Sequence, residues 1–492
     1  MERRWKPWLT AALLGLAALL PYAVGRLARY RMSHREQLLE RFVDPLRGKP
    51  RSSLLRREGT DPAQSPAPAP GPGPAPLPSP APAPALPRPK AGASLPPEAH
   101  GSIFLSDPQN ELLRFQEALA RVEGGADLAR VLHFGDSVVT GDLITGEARA
   151  RLQRRFGNGG PGWIYLQRPW EWYGRPGLTL KGSGWRIQAP MLTARKDHLY
   201  GLGGLAFQTA GGAETLLGLP PSEPFSVLEL HLLPQPRGGR LQIQVDRAVD
   251  LEVDCAGEGG EARKVLPLPA DAPHALRLRA KGEVLLHGLV LERPGPGVVY
   301  DAIGSNGGTV RFLASIEAGH WIQALRLRRP DLVVLAFGTN EVGYYNIPGP
   351  AYAADYRELV RRIREALPRA SILVMGPMDR GERRPEGGVG SMPNLLRIVE
   401  AQKRIAADLG LAFFDTFRAM GGEGAAGRWY QASPRLMTGD FTHPTRAGAD
   451  RIAALLVDAL TRKYQAWRGE VEPVPGREAP RPTGPPPASP PN

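Results

Sequence analysis

Residues 131–142 read VLHFGDSVVTGD. The run Val131-Leu132-His133-Phe134 is bulky and mostly apolar, which suits a covered position in a parallel sheet. Gly135 comes next, and its freedom of backbone dihedrals is expected to allow a sharp turn after the strand. Ser137 then falls just past the carboxyl end of that strand, where open α/β sheets place their ligands. Gly-Asp-Ser alone is a weak signal. Its weight depends on the residues further along the chain.

Downstream, apolar runs alternate with amphipathic ones. Strands are predicted at residues 297–303, 331–337 (DLVVLAF), 371–375 (SILVM) and 411–414, with helices at 309–327, 350–367, 393–409 and 445–464. Upstream, a helix is expected to open at Asp107-Pro108, with Leu112, Leu113, Phe115, Leu119 and Val122 forming its apolar face. Another helix is predicted at 143–156, immediately after the serine. Strand–helix alternation with apolar strands predicts a doubly wound parallel sheet. Residues 163–295 interrupt it: FSVLELHLL, RLQIQVD and HALRLRA alternate apolar and polar residues between Gly/Pro turns, the pattern of an inserted all-β sandwich. The predicted sheet domain therefore comprises residues 99–162 and 296–468.

The chain of 492 residues carries a net charge of +13. Residues 1–60 hold thirteen Lys/Arg against five Asp/Glu, so +8 of that excess sits at one end. This distribution argues against a nucleic-acid partner and for charge flanking a membrane segment. Residues 8–24, WLTAALLGLAALLPYAV, contain no charge, and residues 1–28 are read as an uncleaved membrane anchor, a signal peptide being the alternative. A basic segment (29–60) and a spacer (61–98) with fifteen prolines come after it, and residues 469–492 are again Pro-rich. Cys255 is the single cysteine, so no disulfide within the chain and no thiolate zinc cluster is expected. No spacing of histidines suggests a metal site, and no cofactor is implied.

Four stretches lie at strand ends or beside the last predicted helix: Gly135-Asp136-Ser137, GSNGGT at 304–309, GTNE at 338–341 and DFTH at 440–443. A serine hydroxyl needs a base, and His443 can take its proton. Asp440, three residues earlier, can accept the other imidazole N–H and fix the tautomer. The backbone N–H groups of Ser137 and Gly307 and the Asn340 amide can converge on a developing oxyanion. Asp136 is expected to hold the loop. Trp163, Trp170, Trp172 and Tyr173 suit either stacking on sugar rings or packing between domains.

These four blocks, in this order, resemble the SGNH/GDSL hydrolase family, whose fold is a flavodoxin-like sheet. The resemblance assigns Ser137, Asp440 and His443 as catalytic residues and Ser137, Gly307 and Asn340 as the oxyanion hole. The sequence HFGDS, the later RLQRRFGNGGPGW and the IGSNGGT form of the second block are similar to peptidoglycan O-acetylesterases, which carry an inserted carbohydrate-binding-module-like β domain. Val138 departs from relatives that have His at that position. The resemblance implies an esterase removing O-acyl groups, O-acetyl foremost, from a cell-envelope polysaccharide such as peptidoglycan, at the periplasmic face of a bacterial inner membrane. An O-acetyltransferase with the same triad, or a non-catalytic glycan-binding protein, is the alternative.

Overall fold

A computed structural model describes residues 101–344 and 346–471. The apolar run 8–24, the basic segment, the proline spacer and most of the C-terminal tail lie outside the described residues. Among the described residues no helix is long and apolar enough to cross a membrane.

The sheet that positions the site contains β1 (Leu105–Ser106), β2 (Leu128–Gly135), β3 (Gly297–Gly304), β4 (Leu332–Ala336), β5 (Ser371–Met375) and β6 (Ala412–Phe414), in the spatial order β1-β6-β5-β4-β2-β3. β2 to β6 are parallel, and β1 adds an antiparallel edge against β6. Counting only the parallel strands, the order is 2-1-3-4-5, the flavodoxin-like arrangement whose strand order reverses between β2 and β4. Successive residues of each strand face opposite layers. Val131, Val334 and Leu373 pack beneath α1 (Leu113–Glu123), α2 (Leu143–Phe156) and the long C-terminal helix Arg446–Trp467. Leu132, Val333 and Val374 face Ala318–Arg328, Pro350–Ala366 and Leu395–Asp408, which we label α3, α4 and α5; the C-terminal helix is α6. The sheet is thus buried on both faces, which is why its strands read as continuous apolar runs.

Two helices differ from expectation. The first begins at Leu113 rather than at Asp107-Pro108. Asn110 adopts a left-handed φ of 54°, and the Asp107 carboxylate accepts the Glu111 N–H at 2.7 Å, so the segment before Leu113 is a turn. The helix expected over 309–327 is two, Val310–Ala314 and α3. Glu317 breaks it by leaving helical geometry and accepting the N–H groups of Gly319 and His320 at 3.1 and 2.6 Å.

Between α2 and β3 the chain forms two antiparallel sheets. One runs Val249–Asp254, Arg240–Val245, Ala275–Lys281, Glu214–Gly218, Thr179–Ser183. The other runs Ala262–Ala272, Phe225–Leu232, Val284–Glu292, Ala206–Thr209, Arg186–Gln188, with Gly162–Ile164 added to Val284–Glu292. This is a β-sandwich whose apolar interior is continuous with the α3–α5 layer. A buried ion network joins the two. Arg328, at the end of α3, donates to Asp301 on β3 and to Glu292 of the sandwich, both at 2.6 Å. Arg130 on β2 forks onto the same Glu292 at 2.9 and 2.8 Å. Asp301 also accepts the Trp163 N–H at 2.9 Å. Burial opposes ionisation of Glu292, but the two guanidinium groups hold its carboxyl down at about 2.

Candidate active site

β2 ends at Gly135, and the chain turns directly into a short helix, Ser137–Thr140. Gly135, expected to ease a sharp turn by its backbone freedom, does not take a left-handed φ. It is required because a Cβ there would stand 2.4 Å from the Val139 side chain and 2.9 Å from the Ala336 carbonyl of β4. Asp136 is buried and caps the short helix, its Oδ1 accepting the Val138 N–H at 3.0 Å. Burial pushes its carboxyl up, while the Val138 N–H and the Thr339 hydroxyl pull it back. Asp136 thus holds the loop and presents Ser137.

Ser137 Oγ lies 2.9 Å from His443 Nε2, and His443 Nδ1 lies 2.6 Å from Asp440 Oδ2. The serine and histidine are 306 positions apart in the chain. The other carboxylate oxygen, Asp440 Oδ1, accepts the N–H groups of Thr442 and His443 at 2.9 and 3.0 Å and lies 2.6 Å from the Thr438 hydroxyl. Partial burial opposes its charge, but His443, Thr438 and the two backbone donors hold the Asp440 carboxyl well below the usual carboxylate range. The loop is anchored at Phe441, which takes a left-handed φ of 55°. Its buried ring lies edge-on to Tyr430 at 5.0 Å and beneath the Arg383 guanidinium. That anchorage holds an unfavourable backbone conformation in place.

The other two blocks meet beside the serine. β3 and β4 flank β2, so Gly307 and Asn340 come after the two strands adjacent to the one that carries Ser137. Gly307 has φ +71°, a conformation that disfavours any side chain. Asn340 Nδ2 donates to the Gly308 carbonyl at 2.8 Å, clamping the two loops and leaving its second amide hydrogen for another acceptor. Among the described residues, no protein acceptor takes the Ser137 or Gly307 N–H. Glu341 ties the same loops from below. Its buried carboxyl accepts the Val310 and Gly338 N–H groups, both at 3.0 Å, and burial pushes it up to about 7. Sequence reading gave Glu341 no role; its position next to Asn340 in GTNE was the available signal. Arg380, donating to the Thr339 carbonyl at 2.7 Å, was also missed, because nothing in its surrounding sequence distinguishes it.

The aromatic stretch divides between its two readings. Trp163, Trp170 and Tyr173 are buried in the joint core, whereas Trp172 is 68% exposed. The Trp172 carbonyl lies 3.9 Å from the position a Cβ would take at Gly141, next to the serine helix, and the Met191 methyl lies 3.5 Å from the equivalent position at Gly307. The inserted module therefore borders the serine's loops, with the Trp172 backbone beside Gly141 and the exposed Met191 side chain beside Gly307. His133 is buried and bonds Tyr300 through Nδ1 at 2.7 Å.

Comparison with known proteins adds the chemistry of the domain. The model of the GDSL-like lipase/acylhydrolase family matches residues 279–451. That span includes Gly307, Asn340, Asp440 and His443; Ser137 precedes it, separated by the sandwich. No curated protein matches. Among solved structures, a peptidoglycan O-acetylesterase aligns with 74% of this chain and 99% of its own at 24% identity, with a TM-score of 0.64, which shows the shared fold. Two family-two carbohydrate esterases align more loosely. That from Corynascus thermopiles (Myceliophthora fergusii), with its carbohydrate-binding domain, covers 53% of this chain and 96% of its own at 13% identity and a TM-score of 0.26. That from Clostridium thermocellum, with cellohexaose, covers 53% and 95% at 14% identity and a TM-score of 0.24. The chain carries a GDSL-like lipase/acylhydrolase domain, split by a β-sandwich, and is an ester-bond hydrolase.

Proposed function

We propose that this protein removes O-acyl groups, O-acetyl foremost, from a cell-envelope polysaccharide such as peptidoglycan, through an acyl-enzyme on Ser137. The observation that carries the reading is the continuous chain from Ser137 Oγ to His443 to Asp440, at 2.9 and 2.6 Å. In this reading His443 Nε2 takes the Ser137 proton as Oγ bonds the ester carbonyl carbon. The carbonyl oxygen, now negative, is held by the Ser137 and Gly307 N–H groups and the free Asn340 amide hydrogen. The tetrahedral adduct then collapses, and the sugar oxygen leaves with the proton from His443. Water, deprotonated by the same imidazole, adds to the acyl-enzyme and releases acetate and Ser137. Asp440 keeps the Nδ1–H tautomer throughout, so that Nε2 is free to accept.

The glycan substrate is supported by the fold shared with a peptidoglycan O-acetylesterase and by the exposed Trp172 of the inserted module, whose backbone passes Gly141 at the end of the serine helix. The apolar run 8–24, with the proline spacer after it, supports tethering at a membrane; the periplasmic side of that membrane follows from the proposed cell-envelope substrate. In the test, acetylated peptidoglycan is incubated with the protein and free acetate is measured. Release that disappears in Ser137→Ala is the expected result. Full activity in Ser137→Ala refutes the nucleophile, and net gain of acetyl on the glycan from an added donor refutes hydrolysis in favour of transfer.

A further inference from the structure

A second group of ionisable side chains lies away from the serine, where the sandwich meets α3. His231 is on Phe225–Leu232, His287 on Val284–Glu292, and Glu261 immediately precedes Ala262–Ala272. These three strands are neighbours in one sheet: Phe225–Leu232 lies in the middle, with His231 in register with Arg263 on one side and Gly288 on the other. His320 comes from the first turns of α3, in the hydrolase layer. All four side chains are buried. Glu261 Oε2 lies 2.5 Å from His287 Nδ1 and 3.3 Å from His320 Nε2, and Glu261 Oε1 lies 3.6 Å from His231 Nδ1.

These polar contacts account for only part of the arrangement: beyond the Glu261–His287 pair they are long, and His231 Nε2 stands 3.7 Å from Glu229 Oε2. Apart from the Glu261–His287 contact, both nitrogens of His231, both of His320, His287 Nε2 and Glu261 Oε1 are buried without a hydrogen-bond partner. Protein interiors pair the large majority of such atoms, because an unpaired one costs on the order of 1–3 kcal/mol. The two nitrogens of one imidazole diverge, so one ion can take only one from each ring; His287 Nδ1 and His320 Nε2 are the two that converge on Glu261 Oε2 from two layers of the fold. The donor set is imidazole nitrogen with one carboxylate, the set favoured by zinc-type transition metals and not by calcium or magnesium, which take oxygen. One ligand atom from each of Glu261, His287 and His320 lies within 4.8 Å of the other two. Two ligands about 2.0–2.1 Å from a tetrahedral ion stand roughly 3.3 Å apart, the separation found for Glu261 and His320.

We propose that Glu261, His287 and His320 bind one divalent transition-metal ion of the zinc type. Coordination requires the His287–Glu261 pair to open by several tenths of an ångström, which rotation of the Glu261 carboxyl permits. Burial of all three ligands where the sandwich meets α3, away from the serine, makes the site structural rather than catalytic. Its role is to fasten the sandwich to the start of α3, while Arg328 fastens it to the other end of the same helix.

The test uses the full chain without an affinity tag, refolded with and without Zn(II) and dialysed free of excess metal. One zinc per chain by elemental analysis is expected, with a melting temperature higher than that of protein refolded with chelator. The intense visible absorption of tetrahedral Co(II), after the same treatment with cobalt, is expected from the wild-type protein and needs no variant. His320→Gln should lose the zinc, whereas His443→Ala should retain it, which separates this cluster from the exposed His443–Asp440 pair. Wild-type protein that holds less than about a tenth of an equivalent overturns the proposal, as does zinc retained in His320→Gln.

Discussion

Asp440→Asn isolates what the carboxylate does for His443. Asp440 Oδ1 faces three donors, the N–H groups of Thr442 and His443 and the Thr438 hydroxyl, whereas Oδ2 faces only His443 Nδ1. An asparagine at this position keeps its oxygen on the three donors, so its NH2 must point at Nδ1. That nitrogen can then only accept, which moves the imidazole proton to Nε2, 2.9 Å from Ser137 Oγ. The imidazole then no longer has a lone pair facing the hydroxyl, and the base is lost without any displaced loop. Inverting a triad tautomer in this way costs about 10⁴-fold in kcat, which converts to roughly 5.5 kcal/mol of transition-state stabilisation. Hydrolysis of an aryl acetate gives kcat and KM directly, and a thermal melt checks that the loop remains folded. A loss confined to kcat, with KM and melting temperature near wild type, is expected. An Asn variant retaining activity within about tenfold of wild type would falsify the tautomer argument and the base assignment built on it.

Three further outcomes are expected. Arg328→Met leaves Glu292 and Asp301 buried with fewer counter-charges, and denaturant unfolding should show a loss of about 3–5 kcal/mol; a loss under about 1 kcal/mol would mean that the network does not hold the sandwich to the sheet. Glu341, raised to about 7 from an ordinary value of 4.5, favours its protonated form in the folded state, so it contributes stability below pH 4.5 that is lost as pH rises through about 7, by about 3 kcal/mol. Glu341→Gln should remove that slope between pH 5 and 7 in urea melts while lowering stability at pH 5, because the amide places a donor against a backbone N–H; an unchanged slope rejects the assignment. Trp172→Ala should raise KM for acetylated glycan by about three- to tenfold through lost stacking, with aryl acetate hydrolysis unaltered; equal effects on both substrates would place Trp172 outside the glycan path.

Much of the α/β domain was legible in sequence because its elements are specified locally. DLVVLAF and SILVM have no polar face to expose, so they read as strands covered on both sides and are found there as β4 and β5. Pro350 at the first position of α4 and Thr445 capping α6 mark helix starts by their own chemistry. Where the reading failed, a single residue overrode the surrounding pattern: Asn110 in a left-handed conformation, and Glu317 capping a helix that hydrophobic spacing alone would have continued through. The steric need for Gly135 was not legible, because a close approach from Ala336 on β4 cannot be seen from within its own strand.

By itself, therefore, the sequence determined which residues carry reactive groups and that three of the blocks come after strands and the fourth just before the last helix, since hydrophobic period and turn chemistry act over a few residues. Only the tertiary structure decided what those groups meet. Parallel pairing of β2 with β3 and β4 brings Ser137 beside the loops of Gly307 and Asn340, and the packing of α6 under the sheet returns His443 across 306 positions to within a hydrogen bond of the serine. The Glu261–His287–His320 cluster was invisible for the same reason. Its members come from one strand, the residue leading into another, and a helix of another layer, and no short spacing encodes a convergence that depends on how two folded modules pack.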